Sequence, residues 1–306
     1  MTILDNKVLS HLLAVFRTGS IRGAAEHLNL APSAVSRQIA DLEYRLGLSL
    51  LERTPRGVVA TEAGHLVIEH ARRLFEEQQV LIEQLGQLKG LNQGIVRVCC
   101  GEGFVADLIE NGLTKFTKVY PTIRFRINLA GTEGLLEAIS QGDADIGIAY
   151  NPVIDTNIRS LSISRQPLCL ITAPGHPLAA RRSVSLSKVL DQPLALLPEG
   201  HGVRQLLGRV AADAGLALAP TLETPSIDVL RRFVGIGLGV TFLPRFAVTA
   251  EMARGALSLV DLTDTLLIEA SAHLIVRARR RLPASVDRMA SYLAKEMVAF
   301  QDKPLP

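Results

Sequence analysis

The stretch from Thr61 to about Lys89 contains no proline and repeats its apolar residues in steps of four and three. The repeating positions are 67, 71, 74, 78, 81, 85 and 88, all of them apolar except Gln78, and we call them the heptad stripe. Such a stretch predicts one continuous helix whose stripe is covered by other residues. One helix of this length divides the 306-residue chain into a short N-terminal part and a long C-terminal part.

We predict that this helix pairs with its own copy in a second chain, which makes the protein a homodimer or a homotetramer. The residues predicted to form the contact are Leu74, Leu81, Leu85 and Leu88. The alternative is that the heptad stripe packs on the core of its own chain. The segment "GLNQG" (90–94) then ends the helix and acts as a linker.

The first sixty residues predict several short helices. Apolar residues recur at helical spacing between Asp5 and Arg17, and Ser20 is a suitable cap for the next helix. The stretch "APSAVSRQIADLEYRLG" (31–47) has a proline in its first turn and an apolar stripe at 35, 39, 42 and 46. Two helices joined by a tight turn, the second with one apolar face, form a helix-turn-helix.

The outer face of this second helix carries short side chains, among them Ser33 and Ser36, and one long cation, Arg37. Short side chains allow a close approach to another macromolecule, although an ordinary solvated face is the alternative. Downstream, Arg53 and Arg56 flank a turn that leads into the strand "VVAT", which predicts a wing. Residues 1–60 hold seven Lys or Arg against five Asp or Glu, so placement rather than net charge supports DNA binding.

Beyond Gly94 the pattern changes to apolar strands that alternate with helices. Helices are predicted over 105–119 and 132–141. This alternation predicts a mostly parallel sheet covered by helices, and almost two hundred residues suffice for two small lobes. The strand segments are "IVRVCC", "RFRINLA", "DIGIAY", "LCLITA", "LALLP", "VTFLP" and "HLIVRA".

The remaining signals exclude several classes of protein. Cys99, Cys100 and Cys169 lie inside apolar runs and predict buried, reduced thiols. No spacing of Cys and His suggests a metal site, and no nucleophile or phosphate-loop motif occurs, so we expect no metal, no cofactor and no catalytic residue. The lack of an export signal and of an apolar run long enough for a membrane predicts a cytoplasmic protein without membrane contact.

The order of helix-turn-helix, wing, long helix and α/β portion resembles the LysR-type transcriptional regulators over essentially the full chain. The resemblance implies an α/β fold with an N-terminal winged helix-turn-helix, a long linker helix and a two-lobed effector domain similar to periplasmic binding proteins. The segments that carry it are "GSIRGAAEHLNLAPSAVSRQIADLEYRLGLSLLERTPRGVVATEAG" (19–64), "YPTIRFRINLAG" (120–131), "GDADIGIAY" (142–150), "GHPLA" (175–179) and "VGIGLGVTFLP" (234–244).

The predicted domains follow from this organisation. Residues 1–60 form the DNA-binding domain, 61–93 the linker and dimerisation helix, and 94–306 the effector-binding domain. The resemblance implies that the chain crosses between two lobes twice. Lobe I then holds about 95–163 and 267–300, and lobe II holds about 164–266.

The resemblance implies that the helix opening at Pro32 is the recognition helix for double-stranded DNA. Arg37 can pair with guanine in the major groove or with phosphate, and the sequence leaves both open. The positions that match the family's DNA contacts are Pro32, Ser33, Ser36, Arg37, Arg53, Thr54 and Arg56.

The resemblance also implies a small organic effector between the lobes, where strand ends and helix N-termini favour an anion. Glu102 stands where relatives commonly place a small neutral residue, and an acid there would repel a carboxylate unless Arg204 or a ligand cation offsets it. The residues predicted at this site are Gly101, Glu102, Gly103, Phe104, Gly131, Thr132, His201, Arg204, Thr224 and Ser226.

Three functions compete at this point. A ligand-responsive transcription factor is favoured over a solute-binding transport component of the same fold, since the winged helix is present and an export signal is not. An α/β enzyme with a fused DNA-binding domain would need a catalytic constellation, and none is visible. Within the favoured class, a regulator that senses redox through Cys99 or Cys100 is the alternative.

Overall fold

A computed structural model describes residues 4–55, 57–88, 93–278 and 280–301. The chain divides into two compact units, Met1–Ile82 and Glu83–Pro306. Within the described ranges, no helix has both the length and the apolar character that a membrane span requires.

The first unit has three short helices followed by a two-stranded hairpin. Asp5 and Ser20 cap the first two helices by accepting hydrogen bonds from the backbone N–H groups of Lys7 and Gly23. The elements are α1 (Asn6–Thr18), α2 (Ile21–Leu28), α3 (Pro32–Leu46), β1 (Leu51–Thr54) and β2 (Gly57–Ala60), and the long helix α4 (Glu62–Leu88) follows. The predicted helix-turn-helix and wing are therefore confirmed.

The wing, which is the antiparallel pair of β1 and β2, is attached to the helices from two sides. The Glu43 carboxylate at the end of α3 accepts hydrogen bonds from the backbone N–H groups of Leu50 (2.7 Å) and Leu51 (3.0 Å). The N–H of Val58 donates to the carbonyl oxygen of Gly19, which ends α1, at 2.7 Å. Main-chain contacts therefore fix the position of the wing relative to α1 and α3.

The heptad stripe on α4 has two different environments. Ala71 is buried, and Val67 and Leu74 pack against the same core, which α1, Leu42 and Leu50 also line. The N-terminal half of the heptad stripe therefore packs on the core of its own chain, which is the alternative to pairing with a second chain. Leu74 belongs to this half. Leu81 and Leu85 are instead 54% and 51% exposed, and the side chain of Leu88 lies outside the described residues.

The second unit contains strands and helices in alternation. The predicted helix over 105–119 is present as α5, a π-helical segment at Leu108–Leu113, and α6. In chain order the elements are β3 (Gly94–Cys100), α5 (Val105–Asp107), α6 (Thr114–Val119), β4 (Ile123–Leu129), α7 (Thr132–Gln141), β5 (Ile146–Tyr150), β6 (Ile158–Arg165), β7 (Leu168–Thr172), β8 (Ser183–Val184), β9 (Leu194–Leu196), α8 (Gly202–Asp213), β10 (Pro220–Glu223), α9 (Ile227–Gly235), β11 (Thr241–Pro244), α10 (Thr249–Ala253), β12 (Ser258–Leu262), α11 (Thr265–Ile268), β13 (Ser271–Arg277) and α12 (Ala284–Glu296).

These strands form two groups, which we call lobe I and lobe II. Lobe I has a five-stranded sheet in the order β4-β3-β5-β13-β6, and lobe II has a four-stranded sheet in the order β11-β7-β12-β8 and the pair β10-β9. The sheets are mixed, so the prediction of a mostly parallel sheet is wrong. The reason is the double crossing: β13 returns to lobe I from lobe II and pairs antiparallel with β5 and β6.

A buried carboxylate joins three segments of lobe I. Asp145 is 0% exposed, and its oxygens accept hydrogen bonds from Arg97 Nη2 (2.7 Å), Arg97 Nε (3.0 Å) and Arg280 Nη1 (2.8 Å). Burial alone would raise the pKa of Asp145, but the hydrogen bonds and charges of the two arginines hold that pKa below its ordinary value. Asp145 is therefore ionised and neutralised at neutral pH.

Candidate functional site

The helix α3, which the sequence predicts to be the recognition helix, presents an inner apolar face and an outer polar face. Val35, Ile39 and Leu42 are buried in the core of the first unit. Pro32, Ser33 and Arg37 are exposed and Ser36 is half-buried, as the periodicity requires. Ala31 at the N-cap provides no side-chain acceptor and Pro32 has no N–H, so in the first turn the N–H of Ser33 is the one that a phosphate can accept from, while those of Ala34 and Val35 donate to the Ala31 carbonyl oxygen.

The wing presents a second cation beside this helix. Arg53 on β1 is exposed, and Thr54 at the end of β1 is half-buried. The hydroxyl of Thr54 donates to the carbonyl oxygen of Gly57 at 3.1 Å, which closes the turn of the hairpin. Arg56 lies outside the described residues. The first unit therefore offers Arg37 and Arg53 as exposed cations on its two predicted DNA-binding elements.

In the second unit, a cleft lies where strands of both lobes end and helices begin. It has a cavity volume of about 50 Å³. The segment Gly101–Phe104 after β3 and the first turn of α7 line it from lobe I, and the first turns of α8 and α9 line it from lobe II. Carboxyl ends of strands are the usual place for ligands in open α/β sheets.

The walls of this cleft are mainly apolar. The rings of Phe104 and Phe246 stack with centroids 4.7 Å apart, and Tyr150 packs against Phe246 at 6.5 Å. The Tyr150 hydroxyl donates to the carbonyl oxygen of Gln166 at 2.7 Å. Leu197 and Val203 complete the apolar surface. This composition is typical of pockets for small organic molecules.

Thr132 joins the two lobes at one side of the cleft. The side chain is 7% exposed, and its Oγ1 accepts a hydrogen bond from the N–H of Gly202 at 2.8 Å. A β-carbon at residue 202 would overlap the carbonyl oxygen of Tyr150, so only glycine allows this close approach. The Thr132 hydroxyl keeps its own proton, which it can donate to a ligand.

Glu102 joins the lobes at the other side of the cleft. Its carboxylate accepts hydrogen bonds from the N–H of Ile227 (2.6 Å), the N–H of Asp228 (3.4 Å) and the hydroxyl of Ser226 (3.2 Å). A carboxylate is favourable here because a helix N-terminus carries partial positive charge and unpaired N–H groups. Glu102 is therefore an interlobe cap of α9.

His201 lines the cleft just before α8. Burial lowers the pKa of His201, while its hydrogen bond to Pro198 and the charge of Glu102 act against that shift. Its Nδ1 lies 3.2 Å from the carbonyl oxygen of Pro198, which can only accept. The neutral ring therefore carries its proton on Nδ1 and leaves Nε2 as an acceptor.

Four of the predicted effector-binding residues lie outside the cavity lining. Gly131 packs against Gly200 and His201, and Thr224 and Ser226 immediately precede α9, where their hydroxyl oxygens accept hydrogen bonds from the N–H groups of Ser226 and Val229. Arg204 was a candidate to offset the charge of Glu102. At the start of α8, however, the residues that line the cleft are Gly202 and Val203. The Arg204 guanidinium therefore lies on another face of α8, with Glu199 at 4.0 Å, and lines a separate pocket. Gly101, Glu102, Gly103, Phe104, Thr132 and His201 do line the cleft.

Several lining residues were missed by the sequence analysis. Tyr150 and Phe246 follow from their positions, since the first ends β5 and the second comes just after β11. Ligands collect at such strand ends, so position relative to the strand was the usable signal. Leu135 and Leu197 carry no comparable signal, because an apolar residue in a helix or next to a strand is most often ordinary core.

The cysteines are buried. Cys99 and Cys100 are 2% and 0% exposed and pack into different core clusters, because successive residues of a strand face opposite ways. Burial raises the pKa of Cys99 to about 11 and of Cys100 to about 12. Thiols with such pKa values hold almost no thiolate near pH 7, so the structure does not favour the redox alternative.

Removal of the Thr132 hydroxyl tests its contact across the cleft. Thr132→Val leaves the Gly202 N–H without its acceptor, which should destabilise the second unit by about 1–3 kcal/mol. For a domain of this size, the unfolding midpoint should fall by roughly 2–12 °C. Calorimetry of the full chain measures this, with Thr132→Ser as the control that keeps the hydroxyl. Equal midpoints for the two variants would contradict the assigned contact.

Two protein-family models match the chain. The bacterial regulatory helix-turn-helix protein model of the lysR family matches residues 7–65, and the LysR substrate binding domain matches residues 89–298. The first match covers α1 to the start of α4, including the wing. The second covers nearly all of the unit that contains the cleft.

Individual relatives match over almost their full lengths. The SDS degradation transcriptional activation protein of a Pseudomonas species is 30% identical over 95% of this chain and 96% of its own. The RuBisCO operon transcriptional regulator of Allochromatium vinosum is 26% identical over 92% and 93%. A full-length OxyR variant from Pseudomonas aeruginosa has the same fold, with a TM-score of 0.71, 21% identity and coverage of 98% and 99%.

Proposed function

The chain belongs to the LysR family of transcriptional regulators, and we propose that it binds operator DNA as a homo-oligomer whose activity is set by a small molecule in the cleft. The observation that carries this proposal is the combination of a winged helix-turn-helix and a two-lobed unit with a cleft, each matched by its own family model. The role assigned to the cleft is binding, with no catalytic step and no metal or resident cofactor. DNA binding supports a cytoplasmic site of action.

We propose that α3 enters the major groove and that the wing contacts the backbone. Short, exposed Ser33 permits close approach, and exposed Arg37 has the reach to meet a base edge. Exposed Arg53 on the wing is suited to a phosphate. Arg37 would then contribute sequence preference, and Arg53 would contribute affinity for any duplex.

Substitution of these arginines tests the assignment. A duplex selected in vitro with the unmodified protein is titrated beside a random duplex at several salt concentrations. Arg37→Ala should lower the ratio of specific to random affinity by about five- to 150-fold, since a good bidentate base contact is worth about 1–3 kcal/mol. Arg53→Ala should weaken both duplexes alike and reduce the salt slope by about one unit.

The control is Arg254→Ala, which removes an exposed arginine from the second unit and should leave both affinities unchanged. If Arg37→Ala and Arg53→Ala also bind like the unmodified protein, α3 and the wing do not form the DNA-binding face.

For the homo-oligomer, support comes from the exposed half of the heptad stripe. Leu81 and Leu85 are large apolar side chains on one helix face, and more than half of each remains exposed in the single chain. A second copy of the same helix would cover both. Operator half-sites would then lie on one face of the duplex, spaced by whole turns of about 10 bp.

For the effector, support comes from the contacts that cross the cleft. Thr132 and Glu102 of lobe I each hold the start of a helix in lobe II. A ligand that enters between them changes the free energy of these interlobe contacts. A ligand that binds one arrangement of the oligomer more tightly than another shifts the protein toward that arrangement, and the coupling free energy is typically about 1–3 kcal/mol. A thermal-shift screen of small organic compounds on the full chain tests this, since a cognate ligand raises the unfolding midpoint of the second unit.

A further inference from the structure

The start of α9 beside the cleft is already bonded within the protein. In the first turn of α9, the N–H groups of Ile227 and Asp228 donate to Glu102. The N–H of Val229 donates to the Ser226 hydroxyl at 3.4 Å, and the N–H of Ser226 itself donates to the Thr224 hydroxyl oxygen at 3.2 Å. All four N–H groups that a helix start leaves unpaired therefore have acceptors here.

The starts of α7 and α8 are bonded to each other across the lobes. The N–H of Glu133 donates to the carbonyl oxygen of Gly200 at 3.2 Å, and the N–H of Gly202 donates to Thr132 Oγ1 at 2.8 Å. A ligand anion at either of these two N–H groups would have to displace an interlobe bond. Part of the N–H capacity of these helix starts, which favours an anion in the sequence, is thus used for closure of the cleft.

The charge of the cleft is negative. Among the described residues that line it, Glu102 is an acid and none is Lys or Arg. The guanidinium of Arg204 lies in a different pocket. A carboxylate in the cleft would meet one like charge and, among the described lining residues, no cation, and the repulsion is strongest where water is excluded.

The hydrogen-bonding groups that remain are suited to an uncharged partner. The Thr132 hydroxyl has a proton to donate, and His201 Nε2 accepts. A carboxylate has no proton to give to His201, whereas a hydroxyl or a primary amide has one. The rest of the lining is mainly apolar and includes the stacked rings of Phe104 and Phe246.

We propose that the cleft takes an uncharged ligand with an apolar body and a hydroxyl or amide group, and that Glu102 occupies the position that a ligand carboxylate would otherwise take. The inference rests on the proposed function, since the cleft is its ligand site. A cavity of about 50 Å³ holds about three to five water-sized atoms, which sets the size of suitable probes.

Propionamide and propionate are nearly identical in shape and differ in charge, so they test the proposal directly. Each is titrated into the full chain at constant ionic strength and neutral pH, with ligand-observed NMR as the readout. We expect the unmodified protein to bind propionamide at least about tenfold more tightly than propionate, because the like charge of Glu102 acts on propionate alone.

Glu102→Ala removes the carboxylate and frees the start of α9 for an anion. The variant should bind propionate at least about tenfold more tightly than the unmodified protein, and its affinity for propionamide should change much less. Glu102→Gln keeps an acceptor for Ile227 and removes only the charge, so it gives a second, more conservative variant with a smaller gain for propionate. The control is Glu110→Gln, an exposed acid of the same unit, which should change neither affinity.

Two results would overturn the inference. One is an unmodified protein that binds propionate as tightly as propionamide. The other is a folded Glu102→Ala or Glu102→Gln variant with no gain in propionate affinity. If neither probe binds the unmodified protein or any variant, the failure belongs to the proposed ligand site itself, and the inference about its charge falls with it.

Discussion

Replacement of Asp145 by asparagine is expected to destabilise the second unit by about 3–5 kcal/mol, because two arginines would keep their charges without the buried carboxylate between them. Arg280 is the more affected of the two, since its side chain is 1% exposed while that of Arg97 is 27% exposed. For a domain of this size the unfolding midpoint should fall by roughly 6–20 °C. Calorimetry of the full chain at pH 7 measures the change.

The effect of Asp145→Asn should depend on pH in one direction. The folded-state pKa of Asp145 is lowered, so its stabilisation is present above the unfolded-state pKa and is lost as the pH falls through the folded-state value. The difference between the two proteins should therefore be constant near neutrality and shrink below about pH 4. Asp191→Asn, at an exposed carboxylate, is the control. A small difference at pH 7 would contradict the assigned role of the ion pairs.

Replacement of both Leu81 and Leu85 by aspartate is expected to convert the proposed homo-oligomer into 33.1 kDa monomers. Each exchange places a charge in a helix pair that the proposed dimer buries, at a cost of several kcal/mol. A loss of about 4 kcal/mol weakens association about a thousandfold. Sedimentation equilibrium measures the mass directly.

In the single chain both leucines are more than half exposed, so the double variant should fold normally. Arg73→Asp places an acid at an exposed position of α4 outside the heptad stripe and should keep the mass of the unmodified protein. If the double leucine variant also keeps that mass, another surface forms the main contact between chains.

Local periodicity predicted much of this fold. The spacing of Val35, Ile39 and Leu42 placed α3 and its buried face, and the structure has the helix at Pro32–Leu46. The start of α7 at Thr132 followed equally from the strand that precedes it. Such predictions succeed because the spacing of apolar residues that is typical of a helix or a strand is visible within about ten residues of sequence.

The same reasoning did not predict contacts between segments that are far apart in the sequence. Glu102 meets Ile227 across 125 residues of sequence, and Asp145 meets Arg280 across 135. Neither pair has a pattern in the sequence, because each depends on the way in which separate strands and helices come together. The heptad stripe shows a related limit: its period marks an apolar face, but it does not say whether Leu74 faces its own core or another chain.

The attachment of the wing to the helices has a consequence for the entropy of DNA binding. A free surface hairpin loses about 1–2 kcal/mol of backbone entropy for each residue that a partner immobilises. In this protein, the bonds from Leu50 and Leu51 to Glu43 and from Val58 to Gly19 have fixed the backbone during folding. The proposed contact of Arg53 with a phosphate would then carry little cost in backbone entropy, and the wing would dock as a rigid surface without a search among backbone conformations.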